Sequence, residues 1–172
     1  MEEKKEIFMM DSSSFITTFE SYYHFDLIPT FWEKISLHIS SGRIVVLDKV
    51  RDEIKKQDDE LNKWIRKREK LQIIHIDTDT TEKYSEVIKY IYGCGLYKNS
   101  ALNEWSKNDV ADPWLIASCL VHGYTLVTQE IPSGGLSEKT KNKKAKIPDV
   151  ADHFRVKNIK VFDMMRKLNI KI

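Results

Sequence analysis

The chain has 172 residues, the size of one domain and long enough to bury a core. Its 28 Lys and Arg against 26 Asp and Glu leave a net charge of +2, so no bulk electropositive field marks a nucleic-acid binder and any polyanion contact must come from local clustering. Cys94 and Cys119 lie in unrelated contexts, which argues against a disulfide framework or zinc site; only four apolar residues follow the N-terminal charges, too few for a signal peptide, and no run could span a bilayer, so a soluble cytoplasmic protein is expected.

Residues 7–10 form a continuous apolar run that stops at Asp11, as a strand buried on both faces would. Asp11 then stands at the carboxyl end of that strand, the edge that faces the ligand crevice in open α/β sheets. The rival reading makes it a cap on a helix beginning at Ser12, Ser13 and Ser14. The aromatic stretch 22–29 leads into a helix opened by Thr30 and Glu33 as a capping box, with Phe31, Trp32, Ile35 and Ile39 as its buried stripe. Gly42 closes it, 44–47 is a short extended run, and Asp48 caps the longest helix expected, over 49–71. There Val50, Ile54, Leu61, Trp64, Ile65 and Leu71 mark one apolar face. Glu53 lies roughly 60° from Val50 around the axis, at the edge of that face; a solvated Glu is the ordinary outcome, and the position permits a site role.

Residues 71–76 read as the next strand, and Asp79 with Glu82 opens a helix whose Tyr84, Val87, Ile88 and Ile91 are spaced for burial. Gly93 stops it, and 94–105 reads as an irregular connection. The stretch 108–130 organises the chain: Asp112, then a helix over 113–122 with Ala111, Leu115, Cys119 and Leu120 at helical spacing, Gly123 as a left-handed exit, a strand over 124–128, and Glu130. On its own, Asp112 before Pro113 is best explained as an N-cap with Pro at the first helical position. Pro132, Gly134 and Gly135 then lead into 137–146, which carries five lysines: Lys139, Lys141, Lys143, Lys144 and Lys146. This reads as a mobile solvated loop that, beside an acidic cleft, would also grip phosphates. A short helix over 149–154, a strand over 155–159 and a helix over 161–168 close the chain.

Strands alternating with helices predict an α/β sandwich with a mostly parallel sheet, whose strand ends gather the polar chemistry. Asp11, Asp112 and Glu130 belong to that edge, and Glu53 comes from the helix after a strand. Two carboxylates about 4 Å apart repel by about 4 kcal/mol at an effective dielectric near 20, so such a cluster protonates or binds a cation. Oxygen ligands suit Mg²⁺ or Mn²⁺, and a metal-activated water then cuts phosphodiesters without a nucleophilic side chain. Competing chemistries lack their signatures. There is no Gly-rich phosphate loop, the five histidines show no ligand spacing, and Ser12 to Ser14 lack a nucleophile-elbow context.

Four segments together resemble the PIN-domain family of metal-dependent ribonucleases: IFMMDSS at 7–13, VRDEI at 50–54, DVADPWLIA at 109–117 and LVTQE at 126–130. The aromatic YYHFDLIPTFW and the late KIPDVADHF resemble a PIN-like branch found beside helix-turn-helix antitoxins. The resemblance implies a three-layer sandwich with strand order 3-2-1-4-5 and a Mg²⁺ or Mn²⁺ site on Asp11, Glu53 and Asp112. It implies RNA cleavage as a toxin, with an antitoxin protein and a second copy of the chain as partners. Many members carry Asp where this chain has Glu130, so Glu130 and Asp149 compete as the fourth acid; Asp109 is a further candidate ligand, and Thr128 and Ser13 are further candidate site residues. A non-catalytic RNA- or protein-binding module using the lysine loop, and a small-substrate phosphatase, are the alternatives.

Overall fold

The computed structural model describes residues 5–68 and 73–172. Its centre is a five-stranded sheet in the order β3-β2-β1-β4-β5, parallel at every pairing and flanked by helices. β1 (Phe8–Met10), β2 (Ile44–Leu47) and β4 (Thr125–Val127) are buried along their whole length. That is why their sequences run apolar with little alternation: a parallel strand covered on both faces has no wet side. Phe8 of central β1 registers with Ile44 on one side and Thr125 on the other. β3 (Ile73–Ile74) and β5 (Asn158–Ile159) are the edges. The chain therefore winds outward one way through β2 and β3 and the other way through β4 and β5, which opens a crevice beyond the carboxyl ends of β1 and β4.

The helices are α1 (Ser12–Ser21), α2 (Pro29–Ser40), α3 (Asp48–Lys55), α4 (Glu60–Arg66), α5 (Thr78–Gly93), α6 (Asn99–Trp105), α7 (Asp112–His122), α8 (Ile147–His153) and α9 (Val161–Lys167). Among the described residues none is long and apolar enough to cross a membrane. α7 is buried on nearly every side from Pro113 to Cys119 and lies against α5, with Trp114 stacked on Tyr84 at 3.9 Å. Gly123 ends it at φ +71, and its amide donates to the Cys119 carbonyl, a turn that costs an L side chain strain.

Several element boundaries differ from expectation. α2 begins at Pro29, whose fixed φ suits a first turn, and Thr30 makes no side-chain cap there. The single helix expected over 49–71 is two. α3 stops at Lys55, and Asp59 restarts the chain as the N-cap of α4, accepting from the Asn62 amide at 2.8 Å. Asn62, itself buried, seals the break by donating its side-chain amide to the carbonyls of Lys55 and Gln57. The apolar face runs across the break, since Val50, Ile54, Leu61, Trp64 and Ile65 are all buried, so periodicity alone could not show it. Leu71, with the start of the strand expected over 71–76, lies outside the described residues. α5 is capped by Asp77, which accepts from the Thr80 amide at 2.7 Å, rather than opened by Asp79 and Glu82. The connection 94–105 contains α6, a two-turn helix that buries only Ala101 and Trp105.

The break in 49–71 gives opposite signs for one substitution. If Asp59 caps α4, Asp59→Ala should lower unfolding free energy in urea by about 1 kcal/mol. Exposed Asp58→Ala should stay within about 0.5 kcal/mol. In an unbroken helix Asp59→Ala would instead stabilise, because Ala is the better interior residue.

Candidate functional site

Four carboxylates meet at the carboxyl edge of the sheet, and each arrives on a different element. Asp11 follows β1 directly and is 1% exposed. Its Oδ1 accepts from the Ser14 amide at 2.7 Å, so it does cap α1. Its Oδ2 accepts from the hydroxyls of Ser13 at 2.7 Å and Thr128 at 2.6 Å. Thr128 itself stands at the end of β4, and Ser13 also receives the Gln129 amide at 3.1 Å. Capping and site-building are thus one arrangement, in which a buried carboxylate is satisfied by donors from two strand ends. Burial raises its pKa, and these hydrogen bonds oppose that.

Glu53 reaches inward from α3. One oxygen accepts from Ser12 at 2.6 Å and the other from the Ala111 amide at 2.9 Å, so it bridges the starts of α1 and α7. Lys49 of α3 and Lys56 just past its end fasten the loop before α7: Lys49 donates to the Asn108 carbonyl at 2.6 Å and Lys56 pairs with Asp109 at 2.8 Å. Asp109 is therefore an exposed clamp, its pKa lowered by Lys56, and it does not join the acids.

Asp112 is the first residue of α7, but Ala111 is the cap position and no side chain bonds there. The expected N-cap role is absent; among the described residues no donor is recorded on the Asp112 carboxyl. It lines a cavity of about 520 Å³ together with Glu130, Trp105 of α6 and Lys143, Lys144 and Lys146. Its pKa is pushed up to about 8, first by burial, then by the negative charges of Glu130, Glu53 and Asp11, with Lys146 pulling it back.

Glu130 holds the rim. Its carboxylate accepts from Lys146 Nζ at 3.3 Å and the Ile147 amide at 2.8 Å. Asp149, its competitor, turns away: it accepts from the Ser133 amide at 3.0 Å, and its charge acts on Tyr90 and Tyr97. Of the five lysines, Lys143, Lys144 and Lys146 line the cavity, whereas Lys139 and Lys141 do not. The loop is also less free than its composition suggests, because three hydrogen bonds pin it to the α5–α6 connection and the start of α6: Lys98 amide to Asn142 carbonyl (2.8 Å), Asn142 amide to Leu96 carbonyl (2.9 Å) and Ser100 hydroxyl to Lys143 carbonyl (2.9 Å).

One residue escaped the sequence reading. Lys160 follows β5, is half-buried, donates to the Glu130 carbonyl, and lies within the field of Asp11 and Glu130. Its burial lowers its pKa while those acids oppose the shift. The available signal was its place just beyond a strand, the same argument that selected Asp11.

The donor set is all oxygen, one carboxyl lacks an internal donor, and the field there is negative enough to hold a proton near neutral pH. That suits a hard cation keeping most of its water. Among the described residues, however, no three Asp, Glu, His or Cys side chains stand close enough to share an ion without rearrangement.

A family profile described as "Domain of unknown function (DUF4411)" matches residues 8–172. The chain belongs to the DUF4411 family. No curated protein matches it. The DUF4411 match begins in β1 and runs to the C-terminus, so all four acids, the lysine loop and Lys160 fall within it.

Asp112 should make this DUF4411 protein sensitive to alkali. The unfolded side chain ionises near pH 4 and the folded one near 8, so between those values the fold keeps a proton that the unfolded chain has released. That stability is complete below about pH 4 and is lost as pH rises towards about 8. In EDTA, Tm should fall from about pH 6 to about pH 9, and Mg²⁺ should restore more of it at the higher pH. Asp112→Asn should flatten both responses; an unchanged profile in that variant would show that another group is responsible.

Proposed function

We propose that this DUF4411 protein is a divalent-metal-dependent endoribonuclease. The observation that carries the reading is the unbonded Asp112 carboxyl, raised to about 8 within the field of Glu130, Glu53 and Asp11 at a parallel-sheet edge. The resemblance of the same four segments to PIN-domain ribonucleases supports it, as do the loop lysines Lys143, Lys144 and Lys146 that line the same cavity.

After a rearrangement of side chains at this edge, Asp112 would hold Mg²⁺ or Mn²⁺ with Asp11 and Glu53. Once bound, the ion supplies an acidified water and a counter-charge for phosphoryl oxygens. Asp11, held by Ser13 and Thr128 before an ion enters, adds to the negative potential at Asp112. Glu53 keeps the start of α7, and so Asp112, in place through the Ala111 amide. Glu130 would accept a proton from the attacking water, with Lys146 beside it to receive the charge of the phosphate. A toxin role, an antitoxin that inserts a basic side chain among these acids and a homodimer are the biological settings that the resemblance suggests. A non-catalytic binding module has one observation in its favour: Asp11, Glu53 and Glu130 are already satisfied by internal donors.

Purified protein should cleave single-stranded RNA with Mg²⁺ or Mn²⁺ and stop in EDTA. Asp11→Asn and Asp112→Asn should each lower the rate by about 100-fold or more. Calorimetric titration with Mg²⁺ should give heat with the wild type and none with Asp112→Asn. Cleavage at the wild-type rate by both variants would overturn the reading.

A further inference from the structure

The cavity is lined by two chemically different sets of side chains: Asp112 and Glu130, with Lys146 already committed to Glu130, and Lys143 and Lys144. Neither Lys143 nor Lys144 has an ion-pair partner among the described residues, and the third acid of the lining, Glu104, is taken by Lys107 at 2.5 Å. The strap that carries them is fixed on both sides. Upstream, the backbone bridge between Tyr97 and Asn142 and the Ser100 hydroxyl hold it; downstream, buried Ala145 and Ile147 anchor it. Two ammonium groups are thus presented from a positioned backbone. Buried Trp105 and Ala101 add an apolar wall to the same lining.

From this we infer that Lys143 and Lys144 form a phosphate-binding subsite for a single-stranded polynucleotide, seating the backbone phosphate next to the one that reaches Asp112. The inference rests on the nuclease reading and adds to it the substrate's path. A repeating anion suits a surface whose free cations lie beside, rather than at, the acids: a phosphate held by the lysines draws its neighbour towards the carboxylates, where an ion is needed to offset repulsion. A cavity of about 520 Å³ is of the size that encloses small ligands. It admits the sugar and base of a bent single strand, whereas a stiff duplex keeps its phosphates outside. The apolar wall gives those groups a resting surface without base-specific hydrogen bonds.

The test is fluorescence anisotropy of a labelled single-stranded RNA of mixed sequence with the full chain in EDTA, so that no cleavage intervenes. Lys143→Gln with Lys144→Gln should weaken binding about tenfold. The slope of log affinity against log salt should shrink by about 1.4, two contacts at about 0.7 each. Lys139→Gln with Lys141→Gln removes the same charge from the same loop outside the cavity and should leave affinity near wild type. Equal losses in the two pairs would reduce the effect to bulk charge and overturn the subsite. So would competition by polyglutamate as potent as RNA of equal charge, which would point to an acidic protein instead. Cleavage with Mg²⁺ is scored separately. Cleavage without a difference between the lysine pairs removes the subsite and leaves the nuclease. A difference without cleavage does the reverse, and the absence of both removes the two together.

Discussion

A carboxylate that water barely reaches holds the carboxyl edge of the sheet together. Asp11 ends the central strand, caps α1 through the Ser14 amide and receives Thr128 from the end of β4. An ionised carboxyl in that position is tolerated only because three donors meet it; removing them would leave a charge with neither water nor partner. Everything else at the edge is placed relative to this knot. Ser12, the first residue of α1, reaches Glu53, which in turn fixes the Ala111 amide at the start of α7. Strand β1, helix α3 and helix α7 are thereby joined through acids rather than through apolar packing alone.

The same constraint separates what the sequence could reveal from what it could not. Strands buried on both faces leave apolar runs, so the three central strands were legible from 7–10, 44–47 and 124–128, their parallel sense from the helices between them, and their order from the family resemblance. Breaks within a continuous apolar face are not legible by periodicity, which is how α3 and α4 became one expected helix; Asp59 is the mark of the restart, but an Asp in a charged stretch has many readings. α6 left too little pattern, since two buried residues four apart define no stripe. The acids show a finer limit. Capping and site membership looked like alternatives at both Asp11 and Asp112. At Asp11 they coincide, and at Asp112 the cap is absent, because Ala111 takes the cap position and leaves the carboxyl turned to the cavity. No local rule distinguishes those two outcomes, which depend on what the fold brings opposite each side chain.

Positive charge at the edge is distributed with equal consequence. Lys146 and Lys160 approach the acids from two separate connections, and both meet Glu130, one at its carboxylate and one at its carbonyl. Asp112 receives the longer-range effect of Lys146 and no hydrogen bond from the described residues. Among those residues the fold therefore balances part of its acidic charge internally and leaves one carboxyl without a partner. A structural acid cluster would be expected to distribute its donors until none was left unsatisfied.

Glu6 supplies the comparison at the opposite end of the same sheet. It precedes β1 as Asp11 follows it, and its carboxylate accepts from Lys157 at 2.6 Å, Lys167 at 3.0 Å and Thr125 at 2.8 Å. Its pKa falls to about 2, chiefly through the Lys157 hydrogen bond. Asp112, displaced to about 8, differs by some six units on the same scale. One opens α7 at the carboxyl edge and is buried, the other precedes β1 at the amino edge and is met by lysines; burial first, and then the supply of donors, accounts for the contrast. Where lysines and a threonine converge, an acid becomes a fastening. Where burial and three other acids act on a carboxyl with no donor among the described residues, it becomes a group that holds its proton up to about pH 8, the kind of displaced acid on which the proposed reading rests.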